Sequence, residues 1–218
     1  MYSRGKREKM IKEILGKKIG MTQIFDEGGN VLGVTVIEVE PACLLEKVSY
    51  SNKERVRIGC FKVPEVALSK VKKPQAGYFK KLGVSPYKVL KEVKFNAQEE
   101  FVPAKEVGVE MFQEGELVDV QSTSKGRGFQ GGMKRHGWSG QPSSHGSTMH
   151  RRPGSVGAST FPARIVKGHR MPGHMGDTSC VVKNLRIVKV DAERKMIFIE
   201  GSVPGSVGRI VSIRKIGQ

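Results

Sequence analysis

ILGKKIGMTQIF at Ile14–Phe25, DEGGN at Asp26–Asn30 and VLGVTVIEV at Val31–Val39 decide the fold class. The two outer stretches are rich in Ile, Val and Thr, and the stretch between them is turn chemistry. Together they form the pattern of a β-hairpin. Pro41 breaks the run. RVRIGCFKV (Arg55–Val63) and YKVLKEVKF (Tyr87–Phe95) alternate charged with apolar residues, the period-two mark of half-buried strands. ELVDV (Glu116–Val120) reads as a short strand. VVKNLRIVKVD (Val181–Asp191), AERK and MIFIEGSV (Met196–Val203) repeat the hairpin pattern, and GRIVSIRKI (Gly208–Ile216) closes the series. Only Pro74–Leu82 and Ala97–Phe101 offer a helical turn or two. Many short strands separated by turns predict a mainly β domain, a small barrel or a sandwich.

The strands fall on both sides of a segment of different chemistry. Between Asp119 and Asp177 the chain carries no carboxylate. That segment holds Lys125, Arg127, Lys134, Arg135, Arg151, Arg152, Arg164, Lys167 and Arg170. It also holds all five histidines (His136, His145, His150, His169, His174) and the only tryptophan, Trp138. Like charges repel, and a Gly-rich segment buries too little apolar surface to offset its ordering entropy. A dense polyanion removes both difficulties, and nucleic acid is the natural candidate. A plain basic linker is the competing reading, but interleaved Phe, Trp and Met are poor linker residues. The organisation expected is a basic tail at 1–13, a β body at 14–120 and 177–218, and a basic extension at 121–176. A loop of that length inside a compact domain implies function.

Composition excludes other classes. Net charge is +17, of which the acid-free segment supplies about half. No apolar stretch approaches a membrane span, and the basic segment has too much Gly and Pro for an amphipathic membrane helix. Cys43, Cys60 and Cys180 are few, odd in number and never spaced C-x-x-C. This predicts a reducing compartment with neither a disulfide framework nor a zinc site.

Gly126–Gly131 matches G-x-G-x-x-G, yet no acidic residue follows before Asp177, so a dinucleotide site is not expected. The glycines around Lys125 and Arg127 fit close backbone approach to phosphates better. The histidines lie 9, 5, 19 and 5 residues apart with no carboxylate near them, a poor pattern for a metal or for catalysis. Imidazoles among Gly, Ser and Arg suit phosphate, 2′-hydroxyl or base contacts. Trp138 has two readings, a cap on a local turn or a surface that stacks on an unpaired base. Phe129, Met133, Met149 and Phe161 are expected to fill small local packing sites. Zinc-finger, RNA-recognition-motif and P-loop patterns are absent, and no long helix is available for a DNA major groove. Irregular RNA is therefore the expected target, and a DNA-compacting role fits the uneven charge pattern poorly.

Several blocks resemble one family. LGKKIGMTQIF (Leu15–Phe25), VTVIEVEP (Val34–Pro41), STSKGRGFQGGMKRHGW (Ser122–Trp138), SHGSTMHRRPGSVG (Ser144–Gly157), KGHRMPGHMG (Lys167–Gly176), VDAERK and GSVPG are similar to the bacterial branch of the ribosomal protein L-three family. The likeness runs from about Ile14 to Ile216 with the blocks in order. It implies a six-stranded, translation-factor-like β-barrel with a long, irregular basic extension inserted between strands. It implies a cytoplasmic, structural constituent of the large ribosomal subunit that acts early in assembly. Large-subunit rRNA and the proteins L-fourteen and L-nineteen are the implied partners. No enzyme activity, small-molecule substrate, cofactor, metal or membrane is implied. The implied rRNA contacts are the nine cations and five histidines above together with Trp138. The implied tip near the peptidyl-transferase centre lies within Pro153–Pro162, at Gly154, Ser155, Val156, Gly157, Ala158 and Ser159. The chain departs from the family pattern in three places, one being a tail before about Ile14 that is longer than is usual. Ala158-Ser159-Thr160 follows Gly157 where some members carry a methylated Gln. Arg135-His136-Gly137-Trp138 stands where many members read R-W-N-F.

Overall fold

A computed structural model describes residues 11–50, 53–95 and 101–216. The chain is mainly β, as its alternating patterns predict. Among the described residues it divides into two compact units. One holds the residues up to Thr123 and those from Ser179 onward, and the other is Ser124–Thr178.

In the first unit six strands close into a ring of antiparallel pairs. They are β1 (Glu13–Phe25), β2 (Val31–Glu38), β7 (Leu117–Thr123), β10 (Ser179–Asp191), β11 (Met196–Glu200) and β12 (Ile210–Lys215), in the order β1-β12-β7-β10-β11-β2. The reason lies in the alternation. Ile197 and Ile199 of β11, Val118 and Val120 of β7, and Val211 and Ile213 of β12 are all fully buried. Because the ring closes, these six strands leave no free edge.

A second sheet packs on the same apolar core in the order β5-β4-β3-β6. Its strands are β3 (Ala42–Tyr50), β4 (Lys53–Lys62), β5 (Tyr87–Lys94) and β6 (Glu106–Val107). β3 has no counterpart in the sequence reading. Pro41 marks a break, and ACLLEKVSY lacks clean alternation because Ala42–Leu45 are all buried. Pairing with β4 and β6 makes it a strand. Helix α1 (Lys73–Leu82) starts with Pro74 in its first turn and ends at Gly83 in the left-handed region, φ 68°. Its Phe79 is buried with Cys43 and Leu45.

Two corrections concern segment limits and helices. Ile11 and Glu13, expected in the tail, belong to the body: Ile11 bridges to Phe95 and is buried, and Glu13 opens β1. The rest of that tail, 1–10, lies outside the described residues. So does 97–100 of the expected helical turn, while Phe101 is not helical. Helical turns form elsewhere, as 3-10 turns at Glu65–Lys70 and Val109–Met111 and as α2 (Gly132–His136).

Most polar groups inside this body are matched, Glu54 Oε2 being buried without a hydrogen-bond partner. β1 bulges between Lys18 and Gly20, which carries Lys18 inward. Its ammonium donates to the carbonyls of Val203 at 2.6 Å and Gly205 at 3.3 Å. Arg214 donates to Asp119 Oδ2 at 2.7 Å, and the amide of Asn184, at a bulge of β10, donates to Oδ1 at 3.2 Å. The Arg214 bond is the main reason the Asp119 carboxyl titrates below the usual carboxylate range. Arg57 pairs with Glu46 at 2.5 Å and Glu92 at 3.0 Å. Burial pushes the Cys60 thiol up to about 12.

Candidate nucleic-acid interface

The second unit begins where β7 ends and returns where β10 starts. Its two legs are zipped together. Ser124 N donates to Thr178 O at 2.9 Å, and Arg127 N donates to Met175 O at 2.9 Å. Beyond them β8 (Gly128–Gln130) pairs with β9 (Gly173–Met175). The Gly126–Gly131 run is thus part of a hairpin, not a dinucleotide loop. Gly176 sits at φ 77°, and a Cβ there would lie 2.0 Å from Lys125 O. Only glycine permits that approach.

α2 follows and is capped by Gly137 at φ 71°, whose amide donates to Met133 O at 3.0 Å. The turn brings the Trp138 indole onto Gly132, where a Cβ would meet the ring at 2.0 Å. Arg135 and His136 point to one acceptor. Arg135 donates to Met171 O at 2.6 Å, and His136 Nε2 donates to the same oxygen at 3.0 Å. Arg135 also lies against Gly173, where a Cβ would be 2.6 Å from the guanidinium. These two side chains and Trp138 are therefore half-buried and hold the unit together.

The other cations are placed differently. Lys125, Arg127, Lys134, Arg151, Arg152, Arg164, Lys167 and Arg170 are all exposed, as are His145, His150, His169 and His174. Among the described residues none of the nine cations of this unit is ion-paired. The body uses its cations otherwise: besides Arg57 and Arg214, Lys91 pairs with Glu13, and Lys215 with Glu116 at 2.6 Å. A unit with nine cations and, in Asp177, a single carboxylate carries a field that attracts polyanions.

Gly154–Ser159 is irregular and exposed except for half-buried Val156. Ser155 Oγ donates to Gly157 O at 2.8 Å and shapes that turn. Gly140 packs on His150 O, whose carbonyl also accepts from Gln141 N at 2.9 Å. Among the described residues no three His, Cys, Asp or Glu side chains are grouped to hold a metal.

The expectation for the apolar residues needs correction. Phe129 is 76% exposed, Phe161 88% and Met149 51%. Of the four expected to fill packing sites, Met133 is half-buried, close to the position a Gly140 Cβ would take. A two-stranded ribbon has no second layer to cover its faces, so Phe129 remains open on β8. The sequence reading also missed the need for glycine at 132 and 176. The density of Gly in the unit was the available signal.

Comparison with known proteins agrees with this geometry. Residues 17–196 match the family described as Ribosomal protein L3. "Large ribosomal subunit protein uL3" of Brachyspira pilosicoli is 45% identical over 208 residues, 94% of each chain. The protein of that name in Thermotoga petrophila is 44% identical over 94% of this chain and 97% of its own. That of Carboxydothermus hydrogenoformans is 43% identical over 94% and 98%. With a match over most of its length and its central blocks carried on one cation-rich unit, this chain belongs to the ribosomal protein L3 family.

Proposed function

We infer that the chain is a structural constituent of the large ribosomal subunit. It binds large-subunit rRNA directly, supports assembly of the subunit and performs no catalysis. It works in the cytoplasm as part of the ribosome. Family membership supports this reading, and one structural observation carries it: nine cations on one unit with no acid partner among the described residues. Phosphates are the partner such a unit lacks.

Finer assignments belong to the same proposal. The six-stranded ring within the body is a barrel of the translation-factor type, a reading supported by its closure. The extension, Ser124–Thr178, threads the rRNA. Eight exposed cations and four exposed histidines contact RNA there, while Arg135 and His136 hold the unit's shape. The tip, Gly154–Ser159, orders RNA near the peptidyl-transferase centre. L-fourteen and L-nineteen are the proposed protein neighbours, on the family resemblance.

Sedimentation of the tagged full chain tests the function. The expected result is co-migration with large-subunit particles through a high-salt gradient. Recovery only at the top of the gradient would refute it. In particles carrying His150→Ala, peptide-bond formation is expected to stay largely intact, because no acid in the segment orients that imidazole.

A further inference from the structure

Within the Ser124–Thr178 unit lies a cavity of about 420 Å³. It is walled by Trp138, by the backbone turn Gly154-Ser155-Val156, and by His169 and Arg170. Its volume falls in the range of small-ligand sites, about 300–1,000 Å³. No carboxylate lines it.

Contacts within the unit hold each wall. The indole is seated on Gly132, which leaves no room for a Cβ. The His136 ring lies 6.1 Å from it at 32°. The Gly154–Val156 turn is shaped by the Ser155–Gly157 hydrogen bond. The third wall is anchored just beyond Arg170, where Met171 O accepts from Arg135 and His136. On its other side His169 N donates to Val166 O at 3.2 Å. Neither Arg170 nor His169 is ion-paired among the described residues.

An aromatic plane, a free guanidinium, an imidazole and an open glycine backbone are the means by which proteins hold an unstacked base. A base still paired in a duplex shows only its edge and cannot enter. We propose that this cavity receives one nucleobase turned out of the large-subunit rRNA, stacked on Trp138, with its sugar-phosphate beside Arg170 and His169. The proposal rests on the ribosomal reading and adds to it a discrete base site, distinct from the diffuse phosphate contacts.

Trp138 is the only tryptophan, so emission from the full chain reports on this cavity alone. The test binds the full chain to large-subunit rRNA. Binding is followed by filter retention, and Trp138 by its emission and its accessibility to acrylamide. Severalfold quenching and loss of acrylamide access on binding are expected. Trp138→Ala should weaken binding about tenfold with no change in salt slope, since base stacking carries no charge. Trp138→Phe should retain most of the affinity. His169→Ala leaves the indole on Gly132 and guards against misfolding of the first variant; it should weaken binding and quenching severalfold. One unpaired nucleotide should gain base-edge reactivity in both alanine variants. If rRNA binds tightly while Trp138 emission and access stay unchanged, the base site is refuted and the ribosomal reading stands. Unaltered affinity and quenching in His169→Ala would refute it as well. If rRNA does not bind at all, the ribosomal reading fails and the base site with it.

Discussion

Removing Arg151 and Arg152 together should change how salt weakens rRNA binding, by an amount the structure bounds. Eight cations of the extension unit are exposed and lack acid partners among the described residues. Each that neutralises a phosphate releases counterions, and log affinity falls with log salt by about 0.7 per contact on single strands and about 0.9 on a duplex. With all eight engaged, the unit's slope is about −5.6 to −7. Between 50 and 200 mM salt, affinity then falls by about 10³ to 10⁴. Arg151→Ala with Arg152→Ala should make the slope shallower by about 1.4 to 1.8. Lys70→Ala with Lys72→Ala is the control, since those residues are exposed on the body, outside the acid-free segment. Filter binding of labelled rRNA across a salt series gives both slopes. A parent slope shallower than about −2 would mean that shape and apolar contacts dominate. Equal slope changes in the two double mutants would refute the special standing of the acid-free segment.

Three further outcomes are expected. Gly176→Ala should weaken rRNA binding while the body melts at its usual temperature, because the new methyl would collide with Lys125 O between the extension's legs; a parallel loss of melting temperature would show that the two units are not separate. A neutral alkylating reagent at about pH 8 should label half-buried Cys180 well before Cys60 and Cys43, which are buried, Cys60 with its thiol pushed up to about 12; peptide mapping that finds Cys60 modified at the same rate would contradict its place in the core. The Asp119 carboxyl is depressed in the folded chain, so its stabilising effect is present above the unfolded value of about 3.9 and is lost as pH falls through the folded value. Thermal melts from about pH 6 to 2.5 should therefore decline less steeply in Asp119→Asn at the acid end; identical profiles would remove Asp119 from the acid response.

Much of the fold was legible because alternation is a local property. Ile197, Ile199, Val118, Val120, Val211 and Ile213 announce buried faces at period two, and each is buried. β3 was not legible. All of Ala42–Leu45 is buried, so the alternation that marks a strand is missing where it would help most. The inward turn of Lys18 was hidden for a related reason: one bulge shifts the face of a strand, and no pattern within LGKKIG announces it.

For the interface, the sequence by itself determined the chemistry. The missing carboxylates, the nine cations and the five histidines are facts of composition, and they call for a polyanion whatever the conformation. The family blocks, read in order, also needed no coordinates. Only the tertiary structure separated the one cation that holds the unit together, Arg135, from the eight left exposed. Arg135 looks like its neighbours in sequence, yet it is spent on Met171 O, 36 residues away, while Arg151 and Arg152 are exposed. Likewise only the structure decided that Phe129 and Phe161 are open and that Trp138 is seated on Gly132 while lining a cavity. The physical reason is that charge and hydropathy belong to single residues, whereas burial and hydrogen-bond partners depend on which distant segments the chain brings together.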